Sequence, residues 1–131
     1  MRAISHFLRN EKGSGAAEFA LVAIPFIALV LGIMGLSTLL YANQTLQFAT
    51  ERAARYYSVQ TANAANTSST LPTASDIQTY AQNAYSGPNI SPIFSASPAA
   101  CGYQVTGSAN FPLNTGIYNT SVALTSSACF P

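Results

Sequence analysis

Residues 19–42 read FALVAIPFIALVLGIMGLSTLLYA, an apolar run interrupted by the small hydroxyl residues Ser37 and Thr38. As an α-helix this stretch rises about 36 Å at ~1.5 Å per residue, more than the ~30 Å of a bilayer's hydrocarbon core. Working outward, no charged residue occurs from Phe19 to Thr50. Before the run, Arg2, Arg9 and Lys12 outnumber Glu11, with His6 beside them. Cations on that side place the leader in the cytoplasm and the rest in the periplasm or outside. A cleavable secretory signal would have a shorter apolar region closed by a small-residue site. Here Ala62-Asn63-Ala64 comes about twenty residues too late for that. A buried core helix would not run so far without charge. The stretch reads as one membrane span.

The remaining composition fits an anchored domain. The chain has 131 residues, enough for one small domain and an anchor. Charged residues make up 7%, against ~25% in an average soluble domain. After Arg55 the only charged side chain is Asp76. A net charge of +1 leaves no basic footprint for nucleic acid. No nucleophile–base pair, metal-ligand cluster or phosphate loop is visible, so we expect no catalytic residue, no metal and no cofactor. The expectation is a protein that is not an enzyme.

Beyond the span the helical period continues. Leu39, Ala42, Leu46, Ala49, Ala53 and Tyr56 fall on one stripe. The stripe either docks on a distal domain or neighbouring subunit or is plain packing within the chain. Ala28, Gly32 and Gly35 are small enough for close approach of another membrane helix. Thr61 to Thr70 reads as a frayed helix end and linker. Ser75 and Gln78 have the spacing of a capping box, with Asp76 in the first turn, predicting a short helix from Asp76 to Tyr85. Three prolines predict a loop over Gly87 to Ala100. Tyr103 to Phe111 alternates as a half-buried strand, Asn114-Thr115-Gly116 turns the chain, and Ile117 to Ala128 returns. Cys101 and Cys129 are equidistant from Thr115, yet the apolar parity of the returning strand needs a bulge or a shifted turn. An oxidising compartment predicts a Cys101–Cys129 disulfide, the alternatives being free thiols or a redox pair. The fold class is α+β: a long N-terminal transmembrane helix, then a short helix and an antiparallel hairpin or small sheet. Residues 1–13 form the leader, 14–65 the transmembrane and stalk helix, and 66–131 the small periplasmic domain.

Glu18 heads the apolar run in Lys12-Gly13-Ser14-Gly15-Ala16-Ala17-Glu18-Phe19-Ala20-Leu21. A carboxylate in hydrocarbon is expensive, less so at the interface. A glycine five positions before a glutamate, behind a basic leader and ahead of an apolar helix, resembles a type IV prepilin processing site. The resemblance implies that a prepilin peptidase cuts Gly13–Ser14 at the cytoplasmic membrane face. Cutting after Gly15 would depart from the family spacing. Glu18 then becomes the fifth residue of the mature chain. It would pair with the N-terminal amine of a neighbouring subunit, because a buried carboxylate needs a cationic partner.

With Glu51-Arg52-Ala53-Ala54-Arg55 near its far end, the segment Arg9 to Tyr57 resembles the TadE-like pilus-assembly family, pseudopilin-like proteins of tight-adherence (Flp) pili. Pro25, four residues after Leu21, fits that family's early proline and would kink the span. The resemblance implies a minor pilin or assembly factor in the bacterial inner membrane, possessing one span. Its implied partners are the prepilin peptidase, other pilin or pseudopilin subunits, the inner-membrane pilus assembly machinery and the membrane itself. The other reading is an unprocessed, membrane-anchored periplasmic binding or scaffold protein.

Overall fold

The architecture follows from one helix that changes its surroundings along its length. The computed structural model describes residues 14–114 and 119–131. Its elements are helix α1 (Ser14–Thr67), helix α2 (Ala74–Ala84) and strands β1 (Ile93–Ala99), β2 (Gly102–Asn114) and β3 (Asn119–Phe130). The fold is α+β, a long apolar helix, a short helix and a three-stranded antiparallel sheet of order β1-β2-β3. By contacts the chain divides between Leu36 and Ser37.

In the first unit, α1 buries nothing large. Phe19 and Leu21 each keep 75% of their surface open and Ile24 keeps 72%. A helix apolar on every face has no water-facing side and calls for an apolar solvent. Pro25 lies inside this stretch. Its missing N–H withdraws the helical partner of the Leu21 carbonyl.

In the second unit, Ser37–Pro131, the same helix turns amphipathic. Ala42, Leu46, Ala49, Ala53 and Ala54 are buried with Ile77, Ala81, Phe94, Val105, Phe111 and Leu124. Leu39 and Tyr56 pack against that cluster. The stripe therefore packs within the chain. Along β2, Val105, Gly107, Ala109 and Phe111 are buried, while Ser108 and Asn110 are exposed. That is the period of a sheet covered on one face.

Two local readings differ from expectation. Helix α2 starts at Ala74, capped by Thr73 with Asp76 closing the box. Ser75 and Gln78 are not the cap: Ser75 is already helical, and its hydroxyl lies 2.9 Å from that of Thr73. The Asp76 carboxylate reaches back to the Thr73 N–H at 3.0 Å. Secondly, 93–99 is a strand where three prolines suggested only loop. Pro98 is tolerated because β1 is an edge strand. Phe94, buried at the centre of the core, fastens that strand.

The register is the one that the apolar parity of the returning strand required, with a shifted turn rather than a bulge. Asn114 pairs with Asn119, Ala109 with Leu124 and Phe111 with Val122. The hairpin axis thus lies beyond Thr115, and the shifted turn brings the apolar residues of β3 opposite those of β2. Thr115 to Tyr118, including most of the expected turn, lie outside the described residues.

Candidate functional site

The expected processing bond sits at the edge of what is described. Gly13 lies outside the described residues, and Ser14 opens α1. Glu18 is the fifth residue of that helix and is exposed. Three glycines lie on this part of the helix. A Cβ built on Gly15, Gly32 or Gly35 would meet nothing within 4 Å. Glycine inside a helix costs about 1 kcal/mol relative to alanine. Packing among the described residues does not call for these glycines.

Within the second unit, α1 is held to the sheet by polar and close contacts. Thr50 is completely buried, and its hydroxyl bonds the Leu46 carbonyl at 2.7 Å and the Ser126 hydroxyl at 2.7 Å. Burying a hydroxyl demands such partners. Beside it, a Cβ on Gly107 would lie 2.8 Å from Phe94 Cε1 and 3.0 Å from Thr50 Cγ2. Glycine is what lets helix and sheet approach here. Tyr56 stacks on Tyr80 of α2, ring centroids 4.1 Å apart. Tyr57 meets Tyr103 of β2 at 4.7 Å. The only sequence signal for the Thr50–Ser126 contact was a hydroxyl adjoining the Ala49 stripe position, too common to single out.

Cys101 and Cys129 are bonded, with Cα atoms 6.2 Å apart. Cys129 stands opposite Gln104 in the ladder, so the bond reaches from β3 to the turn that precedes β2. Gly102 follows with φ +122°, a backbone region that favours glycine, and a Cβ there would strike the Phe130 carbonyl.

A tyrosine-rich contact joins the start of this unit to the segment after α2. The Tyr41 hydroxyl donates to the Ser86 carbonyl at 2.9 Å. Tyr85 donates to the Pro88 carbonyl at 2.9 Å, and the Ile90 N–H donates to that same carbonyl at 2.8 Å. Burial pushes the Tyr85 phenol above its usual range, while the neighbouring Thr45 hydroxyl pulls the other way. Gly87 is needed for the fit, since a Cβ would clash with Thr45 Oγ1 and the Tyr85 ring. At the N-terminus of α2, Thr73 holds the Asp76 carboxyl below its usual range through side-chain and backbone hydrogen bonds.

Neither the curated proteins nor the solved structures contain a match to this chain. A family model does match. Residues 13–55 fit the model described as TadE-like protein, from Gly13 through the apolar run to Arg55. One helix in that region, near the N-terminus, is long and apolar enough to cross a membrane. Over this segment, about a third of its length, the chain is TadE-like, which is consistent with a TadE-like pilus-assembly protein.

Proposed function

We propose that the protein is a minor pilin or pseudopilin-like subunit of a tight-adherence pilus, made as a single-span inner-membrane precursor and processed after Gly13. The observation that carries this reading is the span of the family match. It begins at Gly13 and includes Glu18 and the apolar run. The TadE-like family points to Tad pilus assembly, and the finer role is our inference.

The role is non-enzymatic and rests on helix packing. The exposed apolar surface of α1 from Phe19 to Leu36 supports this. So do Gly32 and Gly35, small residues with open space around them where a second helix could approach closely. The leader faces the cytoplasm and residues beyond the span face the periplasm, by the charge asymmetry of the flanks. After cleavage the Ser14 amine supplies the cation that a Glu18 carboxylate in lipid requires. The prepilin peptidase, sibling subunits and the inner-membrane machinery are the partners of this scheme.

N-terminal sequencing of protein purified from membranes tests it directly. A chain starting at Ser14 is expected; an intact Met1 in piliated cells refutes processing and favours the tethered periplasmic module. Glu18→Ala is expected to leave cleavage intact while reducing piliation. Normal pili in that strain would remove Glu18 from the assembly step.

A further inference from the structure

The contact between Tyr41 and the segment after α2 has a consequence for where that segment lies. From Glu18 to Tyr41 there are 23 helical steps. At ~1.5 Å each they span about 35 Å, against ~30 Å of hydrocarbon. With Glu18 in one headgroup layer, Tyr41 reaches the other. Tyrosine at that depth is the residue that membrane interfaces favour, its ring among acyl chains and its hydroxyl among headgroups.

The Tyr41 hydroxyl donates to the Ser86 carbonyl, which holds Ser86 beside the last aromatic residue of the apolar run. Gly87 lies against Thr45, one turn further along α1. The segment carries no charge from Tyr85 to Ile90, and no charged residue lies between Glu18 and Glu51. Entry into the headgroup layer thus desolvates no ion. Tyr85 and Ile90 pack inward, which leaves Ser86 and Asn89 as the exposed residues.

We propose that the Tyr85–Ile90 loop, tied to Tyr41, is a membrane-contacting element seated in the headgroup layer of a lipid bilayer. The proposal rests on α1 crossing a bilayer, and its test separates the two. The chain contains no tryptophan, so one inserted indole reports alone.

Full-length protein reconstituted in phosphatidylcholine–phosphatidylglycerol vesicles is read with lipids brominated near the carbonyl or near the chain end. Asn89→Trp and Ser86→Trp report on the loop, Ile33→Trp on the span and Val59→Trp on the distant part of α1. Ile33→Trp is expected to be quenched most by the deep bromines. Both loop variants are expected to show blue-shifted emission, with more quenching by the shallow bromines than by the deep ones. Val59→Trp is expected to remain unquenched. Solvent-like, unquenched emission from both loop positions beside a quenched Ile33→Trp overturns the proposal and spares the span. An unquenched Ile33→Trp overturns both.

Discussion

Thr50 of α1 and Ser126 of β3 share a hydroxyl–hydroxyl hydrogen bond of 2.7 Å, 76 residues apart in sequence, where the helix meets the sheet. Thr50 is fully enclosed, so its hydroxyl has no water to turn to. Both the Leu46 carbonyl and Ser126 complete it.

Replacing Thr50 by valine keeps the shape and removes the hydroxyl. A net loss of about 1 kcal/mol is expected. Urea unfolding in detergent would measure it, with Ser126→Ala alone and in combination. A double variant whose loss equals the sum of the single losses would show that the bond contributes nothing.

Gly107→Ala should destabilise by about 1–3 kcal/mol, the usual cost of overpacking a filled core. The added methyl would press on Phe94, which is buried in the core. If Gly107→Ala unfolds at the wild-type urea midpoint, the close approach of helix and sheet has been misjudged.

Reduction of Cys101–Cys129 should lower stability by about 3–4 kcal/mol, from the chain entropy restored to the unfolded state by opening this loop. The bond spans 28 residues and ties β3 to the turn before β2. The comparison is the unfolding midpoint with and without dithiothreitol. Cys101→Ser paired with Cys129→Ser should reproduce the reduced value.

Asp76 gives the fold an acid-sensitive contact. Thr73 lowers its folded-state pKa, so its contribution is fully present above the unfolded value of about 4. That contribution fades as pH falls from there through the lower folded value. Asp76→Asn should lower stability at pH 7 and flatten the dependence below pH 5. An Asp76→Asn profile parallel to wild type throughout would assign the acid sensitivity elsewhere.

The long apolar helix was legible because the apolar run needs no tertiary context: composition and length suffice. The stripe from Leu39 to Tyr56 was legible as a face, and only the structure shows that this chain's own core covers it. Strand β2 was legible from its alternation. β1 was not, since three prolines in Gly87 to Ala100 outweigh the short period of Phe94 and Ala96, and only an edge position reconciles Pro98 with a strand. The cap moved by two residues because aspartate, as well as glutamine, can reach back to an N-cap amide. The Tyr41–Ser86 contact could not be read at all. It joins a side chain to a backbone carbonyl 45 residues away, and a carbonyl leaves no trace in composition.

Because α1 supplies both the exposed apolar run and one wall of the core, no loop interrupts the chain between them. A fragment cut after Ala42 to gain solubility would discard Leu39 and Ala42, which belong to the core, along with the exposed apolar turns. A fragment that begins at Ser37 keeps this wall whole and carries the exposed Leu40 and Tyr41 with it, so detergent belongs in its preparation from the first step.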